Sequence, residues 1–171
     1  EDRRREADRL RQEPVNRPGP TVGSGAQLLG PAGSPEGASF SDTCDIAEIR
    51  VNAGWWLDGV QLLCRDGRAM PRRGGGGGDA VAFALQPGEQ LRAISGSTHG
   101  GYVYSLQFHT DRRSSPVYGN GNAADQGTRP FRFDVPQGAR VTGLTGSVGE
   151  YLHSIGLIVG QAPAARGERP V

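Results

Sequence analysis

Lysine is missing from this chain: all 19 basic residues are arginine, a bias that fits the coding of a GC-rich, bacterial-type genome and no physical requirement. An excess of charge of either sign is missing too. The 19 basic residues stand against 18 acidic ones, for a net charge of +1. That balance excludes the broad electrostatic footprint that nucleic acid or an anionic lipid surface selects. No run of 18 apolar residues occurs, so no helix is expected to span a membrane. The opening Glu1-Asp2-Arg3-Arg4-Arg5 lacks the apolar stretch of a signal peptide and reads as the start of a mature product or of an excised domain.

Marks of catalysis and of metal binding are equally scarce. His99, His109 and His153 show no ligand spacing such as two histidines four apart on a helix. The run Gly74 to Gly78 is followed neither by Lys-Ser/Thr nor by a helical pattern, so it is not a phosphate loop. No serine sits in a nucleophile elbow. The sequence therefore implies no cofactor and no enzyme activity. Arg72-Arg73 and Arg112-Arg113 read as solvated edge or loop charges that discourage strand pairing.

Glycine, by contrast, is abundant at 28 residues, while aromatics are only 6%. This composition suits many turns and short strands and argues against long helices. One pattern recurs three times: Gly54-Trp55-Trp56-Leu57-Asp58-Gly59-Val60, Gly100-Gly101-Tyr102-Val103-Tyr104-Ser105-Leu106 and Gly149-Glu150-Tyr151-Leu152-His153-Ser154-Ile155. From Gly54 to Gly100 is 46 residues and from Gly100 to Gly149 is 49, a spacing that belongs to repeat architectures. Alternating apolar residues follow each turn: Val60 and Leu62, Leu106 and Phe108, Ile155, Leu157 and Val159. With Ile49 and Val51, Leu91 and Ile94, and Val141 and Leu144 ahead of the turns, each copy predicts strand, tight turn, strand. A Gly-rich loop and a phenylalanine lie upstream of the hairpins: Gly33 to Gly37 with Phe40, Gly74 to Gly78 with Phe83, Gly119 to Gly127 with Phe131 and Phe133. The chain thus divides into a charged, then Pro/Gly-rich tail over 1–25, an all-β domain over 26–160 and a linker-like tail over 161–171. Linkers at both ends suit one module of a longer protein.

A turn centred on Gly54 sets Cys44 opposite Cys64, ten residues to either side. A bulge near Ala47-Glu48 shifts that register by one, because the spacing from Ile46 to Ile49 is odd. The pair is within disulfide reach, which would place the protein in an oxidising compartment, secreted or extracellular. The other reading is two inward thiols acting as small hydrophobes.

Leu28-Leu29-Gly30-Pro31-Ala32-Gly33 with Phe40-Ser41-Asp42, then Ile49-Arg50-Val51 with Leu57 to Leu62, then Gly101 to Phe108 and Gly149 to Val159, resemble the jacalin-related lectins in order and spacing. The resemblance implies a β-prism I fold, three antiparallel Greek-key-like sheets with pseudo-threefold symmetry. The three inward faces would share one core. It also implies a non-catalytic module that binds mannose/glucose- or galactose-type glycans, or glycoproteins, with homo-oligomers or flanking domains as further partners. In the family, a Gly and an Asp four residues later in the last copy lie beside the N-terminal Gly-rich loop. A carboxylate there accepts hydrogen bonds from two sugar hydroxyls, and glycine lets the backbone approach the ring.

In this chain the last copy runs Gly149, Glu150, Tyr151, Leu152, His153, so the Asp position holds an imidazole. A neutral imidazole offers one donor and one acceptor and cannot accept twice. Two readings follow: an altered sugar site built from Gly33, Gly149, Glu150, Tyr151, Leu152 and His153, or a structural turn whose binding is lost. The first copy keeps the motif with Asp58, beside Trp55 and the loop residues Gly76, Gly77 and Gly78, and is a second candidate site. Its own alternative is an Asp that only caps the turn. The second copy, with Tyr104 and the loop Gly119-Asn120-Gly121-Asn122, is the weakest candidate. A protein-interaction or structural module on the same scaffold, without sugar binding, is the rival function.

Overall fold

The structure, a computed structural model, describes residues 26–119 and 127–161. The tails over 1–25 and 162–171 and the loop residues Asn120, Gly121 and Asn122 lie outside the described residues. Twelve strands follow in chain order. β1 (Gln27–Gly33), β2 (Ala38–Thr43), β3 (Ile46–Ala53), β4 (Leu57–Cys64), β5 (Arg73–Gly74) and β6 (Asp79–Ala84) form the first half. β7 (Leu91–His99), β8 (Tyr102–Thr110), β9 (Tyr118–Gly119), β10 (Arg129–Asp134), β11 (Ala139–Val148) and β12 (Leu152–Gln161) complete it.

They make three four-stranded antiparallel sheets, β1-β12-β11-β2, β5-β4-β3-β6 and β10-β7-β8-β9. Each sheet has one long hairpin at its centre: β11–β12, β3–β4 and β7–β8. The first strand of each hairpin also pairs with β2, β6 or β10, and the second with β1, β5 or β9. The first sheet is closed by strands from both ends of the domain. This is the β-prism that the resemblance implies, and its threefold build matches the repeat in the sequence.

Alternation fills the interior. Ile49, Leu62, Ile94, Leu106, Phe108, Leu144, Ile155 and Leu157 are all fully buried, and they come from the central hairpins of all three sheets. No sheet could bury its apolar face alone, so each hairpin depends on the other two. Phe83 stacks on Phe108 at 5.7 Å, joining the β6 edge to the neighbouring sheet.

The hairpin turns differ in detail from the sequence expectation. Ala53 pairs with Leu57, so the first turn centres on Trp55 and not on Gly54. Register shifts lie between Ile46 and Glu48 and between Asn52 and Ala53. The other two hairpins shift at matching places, Leu91/Ala93 with Ser97/Thr98 and Val141/Gly143 with Ser147/Val148. A bulge re-aims the strand and adds twist. Here one sits just before every turn of the prism end that carries the recurrent motif. Cys64 consequently faces Ile46 in the ladder, and Cys44 reaches it from the β2–β3 link, with Cα atoms 5.8 Å apart in a disulfide.

Two of the arginines expected to be solvated are partnered instead. Arg73 of β5 forms a bidentate pair with buried Asp42 of β2, at 2.8 and 2.6 Å, and lies over the Phe40 ring. Arg113 grips Glu89 through Nε at 2.8 Å and Nη2 at 3.0 Å while lying over Phe83. The correction has a simple cause: each arginine faces a carboxylate contributed by a distant part of the chain, which a local reading cannot see.

Candidate functional site

The three motif turns meet at one end of the prism. Their third residues, Trp56, Tyr102 and Tyr151, converge there. Trp56 lies 5.2 Å from Tyr102 and 6.3 Å from Tyr151, and Tyr102 lies 5.5 Å from Tyr151. The next residues, Leu57, Val103 and Leu152, point the other way into the core and are fully buried. That inward side chain leaves Leu152 only its backbone to offer a ligand. The one after, where the motif has its acceptor, is Asp58, Tyr104 or His153.

Asp58 sits at the start of β4, only 7% exposed. The Gly-rich loop wraps its carboxylate closely. A side chain at Gly77 would come within 2.8 Å of Asp58 Oδ2, and one at Gly78 within 2.8 Å of Oδ1. Gly75 N–H donates to the Asp58 carbonyl at 3.0 Å, pinning the loop to the strand. Burial pushes the Asp58 carboxyl above its ordinary value of 3.8, with no donor among the described residues to offset the loss of water. Trp55, at the crest of the same turn, is 64% exposed, its ring 6.3 Å from that of Tyr104. Gly76 lines the outer part of the loop, near the Arg72 guanidinium, which itself donates to Asn52 Oδ1 at 3.0 Å.

The third copy is built differently. His153 Nδ1 lies 2.9 Å from the Gly101 carbonyl, so Nδ1 carries a proton and donates. The ring stacks on Tyr102 at 4.9 Å. His153 is thereby tied to the second turn by both its ring face and its proton. Gly33 packs against the same residue's backbone, where Ser34 N–H donates to the His153 carbonyl at 2.9 Å. Gly149 N–H closes the turn on the Tyr151 carbonyl at 2.9 Å, and Glu150 is exposed at its tip. A shallow groove of about 310 Å³ runs between the Gly33 loop and the second turn. Gly33, Ser34, His99 and Arg129 are among its lining residues, and no carboxylate is among the described ones.

In the second copy Tyr104 is buried, stacked on His99 at 5.2 Å and in edge contact with Trp55 at 6.3 Å. The structure thus brings Trp55, Asp58, Gly77 and Gly78 into one site. It separates them from the Gly33–His153 set, which lies between the third and second turns. Sequence reasoning misses the rings of Trp56 and Tyr102 as part of this end of the prism. Their signal is present all the same, because the third motif position is aromatic in all three copies.

Three antiparallel sheets about one axis, with glycine-flanked turns gathered at one end, define the β-prism lectin class. A family model of the jacalin-like lectin domain matches residues 29–158, and the chain belongs to that family. Jacalin-related lectin 19 of Arabidopsis thaliana is 30% identical over 142 residues, covering 75% of this chain and 77% of that protein. Jacalin-related lectin 10 of the same plant is 26% identical over 156 residues, covering 84% of this chain. The chain spans about half of that relative's length, 48%. Among solved structures, AcmJRL, a mannose binding jacalin related lectin from Ananas comosus, superposes with a TM-score of 0.70 at 26% identity, over 81% of this chain and 100% of that one. Artocarpin complexed with Me-alpha-mannose gives a TM-score of 0.70 over 81% of this chain and 99% of that one, at 21% identity, a likeness of fold.

Proposed function

We propose that this chain is a non-catalytic carbohydrate-binding module whose working sugar site is the first-copy turn, centred on Asp58. The observation that carries this reading is a carboxylate 7% exposed, wrapped by glycine backbone and lacking a described donor, on a hairpin whose turn also carries the exposed Trp55. Such a group gains most from a ligand that brings two hydroxyl donors to one carboxylate and an apolar ring face to the tryptophan. A pyranose offers both. Mannose/glucose-type sugars are the favoured class, given the mannose-binding relative at 26% identity, with galactose-type sugars the next class to test.

The carboxylate accepts twice only when ionised. Because burial raises its pKa, binding should fall on acidification at a pH above 3.8, earlier than for an ordinary aspartate. The third-copy turn contributes no acceptor of this kind at the motif position, since His153 is committed to Gly101 and Tyr102. The same commitment favours the rival reading for that position alone, a structural joint between copies. The Cys44–Cys64 disulfide supports a role outside the reducing cytosol, in a secreted protein that the module would target to glycans.

The test is a glycan array with multivalent protein, followed by Asp58→Asn. Binding to a coherent sugar class, reduced at least about tenfold by the substitution, is the expected result. Silence across the array from folded protein, or binding untouched by Asp58→Asn, would overturn the assignment. Binding that arises only after His153→Asp would mark the natural chain as an interaction module.

A further inference from the structure

The long hairpins have a second end, away from the motif turns, and a cavity of about 270 Å³ lies there. Its lining comes from the β2–β3 link, from Arg65 just past β4, from the link into β7 and from the first residues of β11. Each of these stretches sits at the end of its hairpin remote from the turn. This cavity and the Asp58 site share no residue.

Arg140, the second residue of β11, lines the cavity and is half-buried. Its Nε is shielded from solvent and makes no hydrogen bond, the one side-chain atom in that state among the described residues. Nor does its guanidinium pair with a described carboxylate. In the ladder Arg140 faces Gly160, which has no side chain to cover it. The strand beneath is held in place, because Arg92 donates to the Ala139 carbonyl at 2.9 Å.

The two carboxylates of the lining are already paired. Glu89 is held by Arg113, and Asp45 lies 3.5 Å from Arg65. Arg140 is therefore the uncompensated charge of the cavity. An unpaired, partly desolvated guanidinium costs stability, and an acceptor that reaches it removes that cost. Held by nothing, the side chain can turn its Nε–Nη edge toward an anion entering the cavity. That edge matches a carboxylate in two parallel hydrogen bonds.

The remaining walls limit what carries the carboxylate. Ile46 and Leu91 are buried and Val141 is half-buried, so apolar surface is available for a carbon skeleton. Asp45 and Glu89 oppose a doubly charged phosphate more than a singly charged carboxylate. From the cavity and the unpaired Arg140 we infer that the end of the prism opposite the motif turns binds a small organic monocarboxylate, with the Arg140 guanidinium as its anchor.

The test is a titration of the natural chain with sodium hexanoate, sodium glucuronate and sodium phosphate, at constant ionic strength set by sodium chloride. Proton–nitrogen correlation spectra follow the Arg140 Nε–H and the backbone amides of Gln90 and Val141. The Arg140 signal is the one absent from Arg140→Lys, which has no Nε–H. A saturable shift of these signals with at least one of the carboxylates is the expected result. Arg140→Gln, read at the two amides, should weaken that binding at least about tenfold. No saturable shift with either carboxylate, or an affinity that survives Arg140→Gln, would overturn the site. Saturation by phosphate alone would overturn the carboxylate assignment. Should Arg140→Gln fail to fold, the Arg140 signal of the natural chain decides by itself.

Discussion

Asp58 and His153 show how one motif position can take opposite roles. Asp58 is buried without a described partner, a state that costs stability and that the proposed sugar site would put to use. Its folded pKa lies above the unfolded value, so ionisation works against the folded state. That cost is fully present above the folded pKa and disappears below about 3.8. Asp58→Asn should therefore raise the denaturation midpoint at pH 7 while removing sugar binding, and the two proteins should converge as the pH falls toward 3.8. Urea titrations across that range would check it, and a midpoint at pH 7 lower than the natural protein's would contradict it. His153 is the reverse case, a side chain whose donor and ring face are both used inside the protein.

Among the connecting elements, the Gly74 to Gly78 loop matters because of where its backbone runs. Gly78 has φ +75°, and a Cβ there would lie 2.7 Å from the Ala53 carbonyl carbon and 2.8 Å from Asp58 Oδ1. Gly76 has no such conformation, and its nearest neighbour would be Arg72 Nη2 at 3.7 Å. Gly78→Ala should cost about 1–3 kcal/mol and displace the carboxylate, whereas Gly76→Ala should stay within about 0.5 kcal/mol. Thermal or chemical unfolding of the pair separates them. Equal effects would mean that the loop does not hold the conformation described.

Across the whole prism, the sheets are joined by charge as well as by apolar packing. Glu89 is fully buried in the β6–β7 link and accepts from Gln86 N–H at 2.7 Å, Thr110 Oγ1 at 2.6 Å and the Arg113 guanidinium. The Arg113 bonds lead the other donors in holding its pKa down to about 2, from 4.5. A depressed folded pKa stabilises the protein above about 4.5, and that contribution is lost as the pH falls through 2. Glu89→Gln should lower stability at pH 7 by about 1–3 kcal/mol and flatten the acid limb between pH 4.5 and 2. Unfolding midpoints measured across that limb check it, and an unchanged limb would show that the pair contributes nothing to acid resistance.

Much of this protein is legible in the sequence, for a physical reason. Side-chain alternation along Val60 and Leu62, Leu106 and Phe108, and Ile155 and Leu157 follows from strand geometry, so the hairpins and their buried faces can be read locally. Glycine at turns and the retained Asp58 are equally visible. What cannot be read is anything set by distant parts of the chain meeting. The partners of Arg73 and Arg113 and the tie from His153 to Gly101 belong to this class. Local pattern alone dictates the strands, their inward faces and the residues offered at each turn. Which turns touch, and which carboxylate is wrapped by backbone, depends on three sheets closing around one core, and no stretch of the chain carries that information by itself.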